Sequence, residues 1–187
     1  MKLVVLADNR KLSPDFQTEH GLCIYLETVQ HKILLDTGAS DVFIQNAKKL
    51  GVNLQAVDYV FISHGHSDHI GGLSSFLELN TKAQVIISSA IQHQSYFSKR
   101  DGLHSISANF DFDAYRNRII FVEKELSIAD GIQIYANQSE KYATPLGNKN
   151  LFREEKNGDF ISDDFNHELI FTIGEETLFI YTGCAHN

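Results

Sequence analysis

Apolar residues fall in short runs separated by polar stretches, and the spacing within each run names an element. Residues 3–6, 22–28 and 33–35 are rich in branched aliphatics and read as strands. Ser40 or Asp41 can cap a helix that runs through Leu50, and Gly51 supplies a left-handed stop. Residues 59–63 form the next strand, 73–79 a helix and 85–88 a further strand. Later strands fall at 119–122 and 131–135. Residues 170–173 and 177–181 form a hairpin turning at Gly174, Glu175 and Glu176. Strands pair locally at first and then alternate with helices, a mixture that predicts an α/β (α+β) domain of two facing sheets with helices outside. Residues 137–164 are polar, carry Pro145, Gly147 and Gly158, and read as loops over a cleft. Residues 109–118 mix Phe110, Phe112 and Tyr115 with charges and read as a lid or a dimer contact.

Composition narrows the picture. The chain has 187 residues, 43% of them hydrophobic, enough for a single domain over 1–187 with its own core. No apolar run approaches the ~20 residues of a membrane helix. The start of the chain reads as a first strand, since its apolar stretch is short for a secretory leader. Two cysteines are too few for a disulfide framework, so a cytoplasmic setting is expected. A net charge of -8 argues against a nucleic-acid partner but leaves room for a small anionic substrate beside bound cations.

The chemistry concentrates in His64, Gly65, His66, Ser67, Asp68 and His69, directly after the strand at 59–63. Neutral imidazoles and a carboxylate suit zinc, manganese or iron. Alternate side chains at a strand end share a face, so His64 and His66 can hold one ion while Asp68 and His69 address a second. Two such ions would clamp a reacting oxygen and yield hydroxide near neutral pH. The competing view is a polar loop that happens to be rich in histidine.

This His64-x-His66-x-Asp68-His69 run resembles the signature of the metallo-β-lactamase superfamily. The paired strands before Asp36-Thr37-Gly38, the Gly71-Gly72-Leu73 that follows the motif, and Thr182-Gly183-Cys184-Ala185-His186 fit the same family in chain order. Together with Ala7-Asp8-Asn9 and Glu19-His20-Gly21-Leu22, they are similar to a branch named after a methanopterin-pathway synthase that joins a dihydropterin to a ribofuranosyl-aminobenzene phosphate. Many members of that branch are called metal-dependent hydrolases. The resemblance implies an αβ/βα sandwich, here lacking its C-terminal portion, and makes His186 the third imidazole on the first ion. It places a cysteine, Cys184, where many members carry a bridging aspartate. Cys184 then reads either as a thiolate ligand or, the favoured reading, as a small buried hydrophobe. Asp36 reads as a buried carboxylate orienting a ligand histidine or the loop backbone. His167 is a lesser ligand candidate, His20 and Asn9 turn residues near the pocket, and His31, His93 and His104 surface residues. A chain stopping at Asn187 would leave strand edges that invite association with a second copy.

The expected function is hydrolysis of an ester, amide or phosphoester by a hydroxide made on one or two bound ions. Asp68 would help hold the second ion and orient the nucleophile or take a proton. The rivals are a transferase coupling a pterin diphosphate to an aminobenzene ribofuranosyl phosphate, and a metal-binding protein without turnover. Neither a membrane nor a nucleic acid is an expected partner.

Overall fold

In the computed structural model, which describes residues 1–128, 131–136, 143–174 and 177–186, β1 (Lys2–Ala7), β2 (Cys23–Glu27) and β3 (Lys32–Leu35) form an antiparallel meander. Helix α1 (Val42–Leu50) ends at Gly51, whose φ of 68° is the left-handed conformation anticipated there. Asp41 is its N-cap by position but makes no side-chain cap bond. Ser40 Oγ instead accepts from the Val42 amide, and the Glu19 carboxylate takes the Ala39 amide and the Ser40 hydroxyl.

Strands β4 (Tyr59–Phe61) and β5 (Gln84–Ser88) then add parallel to β3, with α2 (Ser67–Ile70) and α3 (Leu73–Leu79) between them. The short β6 (Tyr96–Ser98) and β7 (His104–Ser105) form a hairpin. β8 (Ile119–Val122) closes the first sheet, in the order β1-β2-β3-β4-β5-β8. β9 (Glu125–Ile128), β10 (Ile132–Ala136), β13 (Leu169–Ile173) and β14 (Phe179–Tyr181) make the second sheet, ordered β14-β13-β10-β9. β11 (Leu151–Glu154) and β12 (Phe160–Ser162) join the β6–β7 hairpin in a third, ordered β12-β11-β6-β7.

Alternation explains the layers. Strands buried on both faces are apolar throughout. Leu34, Val60, Ile62, Val85 and Ile87 point to the helices, where they meet Phe43, Leu73 and Phe76. Ile33, Leu35, Phe61 and Ile86 point the other way and meet Ile132, Ile134, Phe171 and Ile173 of the second sheet. The result is the expected sandwich of two sheets, with the helices seen here packed on the first. Among the described residues no helix is long and apolar enough to cross a membrane. Both sheets end in edge strands with exposed aliphatics, Leu3 and Val5 on β1 and Ile180 on β14.

Two segments differ from the sequence reading. Residues 109–118, read as a lid or a dimer contact, place their aromatics on the core. Phe110 is buried and stacks on Tyr115 with centroids 5.7 Å apart, and both join the helical-side core with Phe112. The polar stretch 137–164 is not simply loop. Residues 137–142 lie outside the described residues, but 151–154 and 160–162 are strands that wall the cleft. Strands this short, half-exposed and carrying Arg153 and Glu154, give no period for a sequence argument to detect. Strands β13 and β14 pair as the expected hairpin; Glu175 and Glu176 of its turn fall outside the described residues.

Candidate metal centre

The site forms where parallel strands end. β3 and β4 are in register at Leu35 and Phe61, so the residues just past them, Asp36 and Ser63, come side by side. The Asp36 amide donates to Phe61 O at 2.8 Å, and its φ of 56° turns the carboxylate into the fold. Fully buried, it accepts four hydrogen bonds: from the Ser63 amide at 2.7 Å, the Ser63 hydroxyl at 2.6 Å, His69 Nδ1 at 2.6 Å and the Tyr181 hydroxyl at 2.7 Å. Asp36, expected to orient a ligand histidine or the loop backbone, bonds both to His69 and to the Ser63 amide.

These bonds set the histidine tautomers. The Ser63 hydroxyl gives its proton to Asp36, so its oxygen accepts from His64 Nδ1 at 2.9 Å and His64 Nε2 keeps a bare lone pair. His186 is fixed likewise. Its Nδ1 donates to Asn148 Oδ1 at 3.0 Å, its backbone amide donates to Glu168 Oε1 at 2.8 Å, and Asn148 Nδ2 donates to its carbonyl. Nε2 of His64, His66 and His186 are all buried without a hydrogen-bond partner. Their rings converge, with centroids 4.6 Å apart for His64 and His66 and 5.2 Å from each of these to His186. One orphaned buried nitrogen costs ~1–3 kcal/mol, and bare imidazole lone pairs are what a divalent cation takes as ligands.

Asp68 and His69 sit beside this trio. His69 Nδ1 donates to Asp36, leaving Nε2 turned toward Cys184 Sγ at 3.2 Å and Asp68 Oδ2 at 3.5 Å. His20 Nε2 reaches the same Asp68 oxygen at 3.4 Å, and its Nδ1 meets Asn9 Nδ2 at 3.2 Å, so His20 lines the cleft. Cys184 is not a buried hydrophobe. It is exposed in the turn after β14, with Sγ within 4.8 Å of ligand atoms of His64 and His186.

His167 is fully buried, with both nitrogens engaged: Nδ1 accepts from the Gly65 amide at 3.0 Å and Nε2 donates to Asp163 Oδ2 at 3.1 Å. It braces the ligand loop. Asp163, which the sequence reading passed over, also stands 3.6 Å from His66 Nε2, too far for a hydrogen bond, and forms with His66 and His167 a second group of ligand-type atoms. Asn148 and Glu168 were missed as well. Of these, only Asp163 had a sequence signal, an acid four residues before a candidate histidine.

A profile of the Metallo-beta-lactamase superfamily matches residues 18–178. The chain belongs to the metallo-β-lactamase superfamily. Tm1679, a solved metal-dependent hydrolase of the β-lactamase superfamily, superposes with a TM-score of 0.77 at 30% identity, over 98% of this chain and 66% of its own. A Methanocaldococcus jannaschii 7,8-dihydropterin-6-methyl-4-(beta-D-ribofuranosyl)-aminobenzene-5'-phosphate synthase is 24% identical over 100% of this chain and 68% of its own length. A Staphylococcus aureus UPF0173 metal-dependent hydrolase is 26% identical over 73% of this chain and 60% of its own. The chain thus spans about two thirds of the length of these relatives.

Metal ligation needs neutral imidazoles, and burial favours that form at His64, His66 and His186. Burial, then the neighbouring histidines, holds His64 well below its usual range. The same two causes bring His186 down to about 4. Burial also works against a charge on His69, but the Asp36 carboxylate outweighs it and holds that ring well above 6.5. Groups with a lowered folded pKa bind protons mainly on unfolding. Stability should therefore fall as pH drops below about 6.5, and fall further toward about 4 for His186. His69 is protonated in both states below 6.5 and adds no slope there. Scanning calorimetry of metal-free protein should show Tm decreasing steadily from pH 7 to pH 5. A flat Tm over that range would contradict buried neutral imidazoles.

Proposed function

We infer that the chain is the catalytic domain of a metal-dependent hydrolase acting on an ester, amide or phosphoester bond of a small molecule. The observation that carries this is the clustering of three imidazoles, His64, His66 and His186, whose Nε2 atoms are buried and unpartnered. These would hold the first ion, with one position open to substrate, as in three-ligand catalytic sites. Asp68 and His69, with Cys184 beside them, would hold a second ion more weakly, because fewer imidazoles face it. Zinc suits this mixture of imidazole, carboxylate and thiol, with manganese or iron as alternatives. When bound, such an ion supplies Lewis acidity that brings the pKa of a contacting water to roughly 7.

The chain's own residues do the rest. Asp36, Ser63 and Asn148 hold the ligand imidazoles in one tautomer and direction. Asp68 is partly exposed in the cleft, 21% by side chain, and is placed to orient the attacking water and accept its proton. A reducing, cytoplasmic setting suits Cys184 as a free thiol.

Activity on a panel of simple esters, amides and phosphodiesters should vanish with chelator and return with zinc or manganese. Activity indifferent to chelator would contradict this function. The methanopterin-pathway relative supports a second reading, group transfer at the same site. Coupling of a pterin diphosphate to an aminobenzene derivative, with no hydrolysis across the panel, would establish it.

A further inference from the structure

The cleft over the histidines has two walls of different character. One carries His66, Asp68, Cys184 and His186, with His20 at its lip; the other carries Ser98, Arg100, Asp101, His104 and Ile106 of the β6–β7 hairpin. Between them lies a cavity of about 290 Å³, near the lower end of the volumes that hold small ligands. The hairpin is fixed to the metal loop. The Ser67 amide donates to Ile106 O at 2.7 Å, and His66 bridges to Ser107. On the other side the Lys99 amide donates to Asn150 O at 2.8 Å, and Arg100's own amide donates to Ser98 Oγ at 3.3 Å. Whatever the hairpin presents is therefore held at a set distance from the ligand histidines.

What it presents is an unpaired cation. Several cations of the chain have partners: Lys82 pairs with Asp58, Arg153 with Glu155 and Asp164, Arg118 with the carbonyls of Leu77 and Ala83, and Arg116 lies over the Phe121 ring. Among the described residues no carboxylate lies within ion-pair distance of the Arg100 guanidinium. It extends across the cleft mouth toward Gly147, with Nη2 3.9 Å from where a Cβ there would sit, next to the Asn148 that holds His186. His104 lies on the same wall, its Nδ1 donating to Gly102 O at 3.0 Å. Among the described residues that line the cleft, Arg100 is the one Lys or Arg, and Asp101 is the one acid on that wall.

We propose that Arg100, with the Ser98 hydroxyl, binds an oxyanion group on the part of the substrate that is not cleaved, so that the substrate carries a phosphate or a carboxylate away from the reacting bond. The proposal rests on the reading of this cleft as the substrate site. A guanidinium fork meets either anion in bidentate geometry. A chain of net charge -8 repels anions at long range, so a dedicated contact of this kind is what admits one.

The test is titration of the purified protein with phenyl phosphate and with benzoate, followed by NMR and calorimetry, on protein as isolated and after metal stripping. Metal content is measured in parallel. Arg100→Gln should weaken binding about tenfold or more, roughly 1.4 kcal/mol. Asp101→Asn should strengthen it by removing a like charge, and Arg10→Gln, a cation away from this cleft, should leave it unchanged. Preference for phenyl phosphate would identify the group as a phosphate, and preference for benzoate as a carboxylate; either supports the proposal. Anions that also touch bound ions do so equally in wild type and variant, so the difference between them isolates Arg100. Saturable binding that Arg100→Gln leaves unaltered would overturn the proposal, as would absence of saturable binding by wild type in both metal states. Arg100-dependent binding by a protein that holds no metal would sink the hydrolase reading and leave this one standing; full metal content with Arg100-independent binding would do the reverse.

Discussion

Replacing His66 by alanine is expected to leave the protein folded and nearly free of metal. The side chain offers one of the three unpartnered Nε2 atoms, and its loss reduces the first position to two imidazoles. Removing a residue that merely supports a ligand costs about 10–100-fold in metal affinity, so removing a ligand should cost more. Elemental analysis of dialysed His66→Ala should find under roughly a tenth of the wild-type metal, in line with a loss of more than tenfold. Circular dichroism would confirm the fold. His167→Ala is the informative companion. His167 spends both nitrogens on Gly65 and Asp163, so its loss should loosen the ligand loop and lower Tm while most metal is kept. Full metal content in His66→Ala would contradict the ligand assignment.

Asp36 predicts the largest effect on stability. Its carboxylate is fully buried and receives four donors from three elements of the fold. Asp36→Ala leaves all of them unpaired, next to an imidazole whose charge the carboxylate sustains. Breaking a buried charged network of this kind costs about 3–5 kcal/mol, a large share of the ~5–15 kcal/mol that holds a domain folded. Denaturant titration should show the midpoint falling accordingly, or no folded protein at all. Asp36→Asn is subtler. The side chain still fits and Oδ1 can still accept from Ser63, but its amide meets His69 Nδ1 donor to donor. His69 then loses the acceptor that fixes Nδ1 and directs Nε2 toward Cys184 and Asp68. Asp36→Asn is therefore expected to fold, to keep an ion at His64, His66 and His186, and to lose whatever the second position holds. An unchanged denaturation midpoint in Asp36→Ala would show that the network carries no stability.

Most of the frame was legible because it rests on periodicity. Val60 and Phe61 face opposite cores, as neighbours in a doubly buried strand must, and an apolar run ending in His64 announces both the strand and the loop it delivers. Gly51 and Asp36 were legible for similar reasons, each having a local chemistry with few uses. What escaped was built from long-range pairing. The β6–β7 hairpin and β11–β12 join residues more than 50 positions apart, such as Phe97 with Phe152, and no local pattern encodes that. The same pairing brings Asn148 and Asp163 to the histidines and Arg100 over the cleft. Cys184 misled because a thiol near a strand end is usually buried, whereas here it lies exposed in the turn after β14 and faces His69. His104, assigned to the surface, is indeed exposed, yet that surface is the cleft wall.

Anomalous diffraction at the metal edge, on crystals of the protein as isolated, tests the central claim most directly. The account predicts a strong peak about 2.1 Å from Nε2 of His64, His66 and His186, with a weaker peak or none between Asp68 and His69. A peak held instead by His66, Asp163 and His167, or no peak in protein whose metal has not been removed, would contradict it.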